Sequence, residues 1–267
     1  MAGWDGQGLP PAVAHRAARF DGSRSKTSLL TAPDTASLEA VGFDPVGDVM
    51  GCTVQRISRP LGVGVTLDYR EYAAAQRRGY ELAMQRLMAE AARIGADGVL
   101  GIDMTVERET QNIEEFVALG TAVRARSAHR PRRPFTTGLP GPDVAKLLLS
   151  GWVPVGFVFG VTIQTRYLDY GTRRDLAMLA GNYEIRACTE LVAQARSAAR
   201  KEFTARVSGA SADGAVVSSM SVDAWAAQES WLVAQAEVFG TAIARFSPGA
   251  PTRGLTMMPL NAGRSTP

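Results

Sequence analysis

Apolar residues recur along this chain with two different periods, and the switches between them mark out its elements. Met84, Leu87, Met88, Ala91 and Ile94 fall at three- and four-residue steps, while Glu81, Gln85, Arg86, Glu90 and Arg93 take the other side. That spacing predicts an amphipathic helix with one face on a sheet. Val192, Ala195, Ala199, Phe203 and Val207 form a second stripe of the same kind. Residues 46–49 and 53–57 are rich in Val, Thr and Ile and predict strand, punctuated by Gly47 and Gly51. Glycines inside a strand mark a bulge, a bend or a close backbone approach. Residues 99–106 and 215–222 predict strands, and each pairs as a hairpin with the strand after it, 116–124 and 231–246.

These elements come twice. Gly42, Pro45, Val46, Gly47, Val49, Gly51, Thr53 and Gln55 recur 109 positions later as Gly151, Pro154, Val155, Gly156, Val158, Gly160, Thr162 and Gln164. Upstream, Leu30, Pro33, Asp34 and Leu38 recur as Leu139, Pro142, Asp143 and Leu147, and each aspartate, following a proline before a short helical run, is a candidate N-cap. After the helix, Ala96-Asp97-Gly98 recurs as Ala212-Asp213-Gly214 at an offset of 116, so the second copy carries seven more residues; the expectation is a longer second helix. Gly120-Thr-Ala-Val123 returns as Gly240-Thr-Ala-Ile243. The chain thus reads as an α+β protein of two tandem β-α-β-β modules, residues 25–128 and 135–247, joined by an Arg/Pro linker at 129–134 and flanked by flexible tails at 1–24 and 248–267.

Composition narrows the class. With 46% hydrophobic and 21% charged residues in 267, the chain is long enough for two real cores and is neither disordered nor membranous in character. No apolar run reaches the roughly 18 residues of a membrane-spanning helix, and Met1 to Pro11 has no secretory order, so membrane insertion is not expected and a cytoplasmic protein is. A net charge of +3 is densest at Arg124, Arg126, Arg130, Arg132 and Arg133. Prolines interrupt that run and no aromatic residues are interleaved, so it reads as a solvated linker rather than a nucleic-acid site.

Candidate chemistry is sparse. Cys52 and Cys188 sit in different elements and read as buried thiols, not a disulfide. His15 falls in a tail and His129 in the linker, and no Cys or His lies within ligand spacing of another, so a thiolate/imidazole metal site within one chain is not expected. Met84 and Met88 read as core filler rather than a soft-metal pair. Asp97, Asp103 and Glu107 could form a carboxylate cluster, against the plainer reading of a solvated strand edge. Residues 209–213 contain Ser211 but break the nucleophile-elbow pattern, and no histidine stands in either module to act as base. No catalytic residue, metal ligand or cofactor is assigned; carboxylate acid–base chemistry stays open as an alternative.

The run Ile94-Gly-Ala-Asp-Gly-Val-Leu-Gly-Ile-Asp103, followed by Gly120-Thr-Ala-Val123 and preceded by Tyr72, the helix and the Gly/Pro/Val/Gly strand, resembles the YbjQ-like family of heavy-metal-binding label. The resemblance covers most of residues 27–126 and, more weakly, 136–246. It implies a dodecin-like subunit without enzymatic activity that closes into pentameric rings; heavy-metal binding or storage is the alternative its label implies. Ser219 stands where Asp103 would recur, so any chemistry at Asp103 belongs to one copy. One helix on a three-stranded sheet leaves a face and an edge to be covered. Trp152, Phe157 and Phe159, and the apolar strand from Trp231 to Phe239, give the second copy a surface unlike the first. The expected partner is therefore a further copy of the chain, and the single-module rings of the family resemblance imply five chains giving ten modules.

Overall fold

The computed structural model describes residues 28–58, 68–110, 112–128, 130–131, 133–177, 184–227 and 230–246, together with Leu9 and Val13. His15, His129 and nearly all of both tails lie outside them. The elements run α1 (Ala32–Ala40), β1 (Phe43–Arg56), α2 (Arg70–Arg93), β2 (Gly98–Thr110), β3 (Ile113–Ala125), β4 (Phe135–Thr136), α3 (Gly141–Leu149), β5 (Trp152–Tyr167), α4 (Tyr170–Ala177), α5 (Arg186–Gly209), β6 (Gly214–Ala227) and β7 (Trp231–Arg245). They build an α+β protein with a four-stranded sheet of order β1-β3-β2-β4 and a three-stranded sheet of order β5-β7-β6. All pairs are antiparallel except β2 with β4, which is parallel.

The recurring glycines have two different jobs. Near Gly47 and Gly156 the ladder slips a register, between Pro45 and Gly47 and between Pro154 and Gly156. Each proline lacks the N–H a regular ladder would use, so a bulge there costs little. Gly51 and Gly160 are contact points for a helix. A Cβ on Gly51 would overlap the Ala83 carbonyl and the Leu87 amide, and one on Gly160 would overlap the Ala199 carbonyl and the Phe203 amide. Both β1 and β5 therefore run unbroken through these glycines.

Several expectations change. Asp34 and Asp143 sit in the third helical position, not at the N-cap: Thr31 caps α1 in a reciprocal capping box with Asp34, and Pro140 precedes α3. The two long helices both have 24 residues. The extra residues of the second half lie before α5, between β5 and the helix, where α4 forms. The arginine run is not simply solvated. Arg124 donates to the carbonyls of Ile94 and Gly95 at 2.8 and 2.9 Å, closing the end of α2, while Arg126 pairs with Asp44 and Arg130 with Asp97. Guanidinium groups on the last carbonyls of a helix satisfy acceptors that have no partner within it.

The layers stack as sheet, helix, sheet, helix. Helix α2 lies on β1 and β3 and presses its far side on β5, and α5 covers the other face of β5 and β7. Tyr80 marks the crossing: its ring meets Phe116 of the first sheet at 5.2 Å and Phe159 and Phe239 of the second at 5.3 and 5.5 Å. Even-numbered residues of β7, such as Leu232, Ala234, Ala236 and Val238, pack with α5, whereas Trp231 and Val233 join the core around α2. The second sheet is thus covered on both faces; α2 covers one face of the first, and α1 and α3 cover the other where Leu100 and Val123 lie.

Gly51→Ala is expected to lower stability by about 3 kcal/mol, since the methyl must push a helix backbone off the sheet. A urea midpoint within error of the parent would overturn this packing.

Candidate functional site

Three places could carry function: the carboxylates singled out by sequence, a polar cavity between the sheets, and the uncovered faces at the two ends of the stack. The structure does not bring the carboxylates together. Asp97 is buried and structural, accepting the Ala125 amide and the Arg130 guanidinium at 2.8 and 2.9 Å. Asp103 and Glu107 stand exposed on the outer face of β2. Among the described residues no group of three His, Cys, Asp or Glu side chains is placed to hold a metal ion. The cysteines are free and half-buried rather than fully buried. Cys52 donates to Glu115 at 2.9 Å, and burial with that carboxylate pushes its thiol up to about 11. A thiol so raised is a poor nucleophile at neutral pH. Ser211 lies at the end of α5 with a positive φ, in a turn and not in a strand-to-helix elbow.

The cavity, about 690 Å³, is lined by Tyr72, Gln76 and Tyr80 of α2, Met104 and Arg108 of β2, Glu114 of β3, and residues 223–226, Gln235 and Glu237 of the second sheet. Glu114 accepts from Tyr72 at 3.0 Å and from Gln76, and Arg108 approaches it at 3.7 Å. Glu237 accepts from Tyr80 at 2.9 Å and Gln235 at 2.8 Å. Burial holds the Glu237 carboxyl above its ordinary range, and it raises the Tyr80 hydroxyl as well, reinforced by Glu237. Burying these groups is tolerable because they pair with each other. Among the described residues, the Gln76 side-chain carbonyl and the Trp231 indole N–H find no partner.

Sequence reasoning missed these acids, although a signal was there. Glu114 shares the inward phase of Phe116 and Ala118 on β3, Glu237 that of Phe239 on β7, and Glu90 falls in step with Ala83 and Leu87 on α2. Glu90 is fully buried and accepts the Met50 amide at 2.8 Å. An acid in an apolar phase is a buried hydrogen-bond acceptor waiting for its donors.

The end faces are built from matching positions of the two halves. On α2, Tyr80 and Met84 are buried against the second sheet; 116 positions on, Arg196 and Arg200 of α5 are exposed. On β5 and β7, Phe157, Phe159 and Phe239 meet α2's side of the stack. Their counterparts Asp48, Met50 and Leu119 face outward on the first sheet with Val117, only half-buried, beside Asp103, Glu107 and Glu115. One end of the chain is an acidic and apolar sheet face, and the other is a basic helix face.

Because the folded Glu237 carboxyl is raised above the 4.5 of an unperturbed glutamate, its contribution to stability is full below that value and is lost as pH rises through the folded one. Melting temperatures measured from acid to neutral pH should fall less steeply for Glu237→Gln than for the parent. Parallel profiles would show that Glu237 is ionised in the fold.

A family described as "Putative heavy-metal-binding", YbjQ-like, matches residues 53–126. The "Encapsulin nanocompartment protein Rv1762c" of Mycobacterium tuberculosis is 29% identical over 264 residues, covering 95% of this chain and 98% of that one. A "UPF0145 protein" of Pseudothermotoga lettingae is 31% identical over 106 residues, 37% of this chain and 96% of the relative. A "Tryptophan synthase alpha chain" of Rhizorhabdus wittichii matches partially, 32% over 201 residues, 67% of this chain and 68% of its own. None of the described helices is long and apolar enough to cross a membrane. With nearly the whole of a UPF0145 protein matched at this identity, and the family's characteristic segment running from Thr53 to Arg126, the chain belongs to the YbjQ-like (UPF0145) family.

Proposed function

We propose that this chain is a non-enzymatic building block that joins copies of itself head to tail into a closed ring, each chain supplying two tandem dodecin-like modules and acting in the cytoplasm. The observation that carries the reading is the sheet–helix–sheet–helix stack with unlike ends. Inside the chain, the helix of the first half docks on the sheet of the second through Tyr80, Phe159 and Phe239. A basic helix face with Arg196 and Arg200 and a sheet face with Asp48, Glu115 and Glu107 offer the same docking between chains, with opposite charges where the internal contact has aromatic rings. A heterologous contact of this kind either closes on itself or grows without end. With two modules per chain, a single closed ring holds an even number of modules, and five chains giving ten is the size proposed from the single-module rings the family resemblance implies.

The name of the Mycobacterium tuberculosis relative speaks of a nanocompartment, in line with a role in protein assembly. No specific observation favours a metal-storage reading for this chain over assembly, since among the described residues no group of three His, Cys, Asp or Glu side chains could hold a metal ion.

Light scattering at micromolar concentration is expected to give a discrete multiple of the 28.4 kDa chain. Leu119→Arg sets a positive charge on the sheet face against Arg196 and Arg200 and should shift the mass to a single chain, with stability changed by less than about 1 kcal/mol because the residue is only half-buried within the chain. A parent protein that runs as a single chain would overturn the proposal.

A further inference from the structure

We infer that the cavity between the two sheets is a binding site for a small aliphatic amine, held as its ammonium ion by Glu237 and Gln76. The site stands apart from the head-to-tail reading, because every residue that builds it belongs to one chain. Donors and acceptors along its wall do not balance. Tyr72 and Gln76 donate to Glu114, and Tyr80 and Gln235 donate to Glu237. Four donors are thereby spent on two carboxylates of the same wall, and acceptors are left over.

Gln76 supplies the first of these. It is 3% exposed, and the Glu114 carboxylate fixes which way its amide points, since only the Nε2 end can donate. The carbonyl oxygen at the other end is buried and finds no donor among the described residues. A buried carbonyl left without a donor is costly, and a ligand that brings one removes the cost. Glu237 supplies the second. Both of its donors reach Oε1, at 2.9 and 2.8 Å, and none among the described residues reaches Oε2.

Charge is as lopsided as the hydrogen bonding. Glu114, Glu237 and Asp223 line the cavity against one guanidinium, that of Arg108, which lies 3.7 Å from Glu114 with about half of its side chain in solvent. A second cavity of about 460 Å³ meets the first at Met104 and Glu237; it adds Asp103 and three serines, and no cationic residue. Burial, with Asp223 and Glu114 nearby, raises the Glu237 carboxyl, as expected of an acid in a site that lacks its cation.

The shape selects an organic cation. About 690 Å³ is the size of a small-molecule site and far more than a bare ion fills. Met104, Val106 and Trp225 give the wall an apolar stretch for a hydrocarbon chain, and an ammonium close to an indole gains a cation–π attraction. Among the described residues no three metal-ligating side chains converge there. An ammonium carries three N–H donors and no acceptor, which matches a wall with acceptors to spare.

The test is calorimetric titration of the full-length protein with butylamine. Saturable binding of one butylamine per chain is expected. Butanol should give no heat, and butyltrimethylammonium, which keeps the charge but has no N–H, should bind about tenfold more weakly. Glu237→Gln and Gln76→Met should each weaken butylamine about tenfold. Two exposed side chains decide the matter even if those variants fold poorly: Asp223→Asn should weaken butylamine about threefold, and Arg108→Gln should tighten it by a similar factor. Equal affinity for butyltrimethylammonium would overturn the hydrogen-bonding role given to Glu237 and Gln76. The site itself would be refuted by the absence of saturable heat at millimolar butylamine, by unchanged affinity in both exposed variants, or by zinc binding in place of the amine and being lost with the same substitutions.

Discussion

Helix α2 is buried on two sides, and the rest of the molecule depends on how it meets that constraint. An ordinary amphipathic helix needs one apolar stripe. Here Ala83, Leu87 and Ala91 fill the groove over the first sheet while Tyr72, Gln76, Tyr80 and Met84 are also removed from solvent. The close side works because Gly51 and Gly79 remove side chains where the backbone and the Phe116 ring approach. The far side works because Tyr80 is large enough to reach three aromatic neighbours from two sheets. Edge-to-face rings of this kind add modestly to their area burial and fix the angle between layers.

A helix buried twice must also bury some of its polar groups, and the junction is organised to satisfy them. Glu90 takes the Met50 amide, Glu114 takes Tyr72 and Gln76, and Glu237 takes Tyr80 and Gln235. None of these acids recurs at the corresponding position of the other half: Glu114 corresponds to Ala234 and Glu237 to Val117. Within it, the bond from Tyr80 to Glu237 crosses between the halves, while Glu90 and Glu114 take their donors from the first half. Ion pairs of Arg206 with Glu81 and of Arg77 with Glu202 stitch the same junction from its rim. Such rim pairs add little energy but set which surfaces meet.

The second half differs from the first in the direction that an end position demands. Where α2 presents Tyr80 and Met84 to a sheet, α5 presents Arg196 and Arg200 to solvent; where β5 presents Phe157 and Phe159 to a helix, β1 presents Asp48 and Met50. The internal joint is aromatic. The terminal faces carry charge instead.

Much of this was legible in the residues themselves. The two stripes at helical spacing, the hairpins and the matching glycine, proline and threonine positions determine the elements and their order, because period and turn chemistry are local properties of a chain. So does the family, through Ile94 to Asp103 and Gly120 to Val123. The meaning of each glycine was not legible, since Gly47 and Gly51 look alike until the partner strand and the helix are in place. Nor was the length of α5: the seven added residues preserve helical phase wherever they fall, and only the tertiary structure puts them before the helix. The buried acids were visible as carboxylates in an apolar phase, but, Gln235 apart, the donors of Glu90, Glu114 and Glu237 come from residues 38 to 157 positions away. Which sheet face is covered depends on one half of the chain lying on the other, and a contact between distant segments leaves no period in the sequence to announce it.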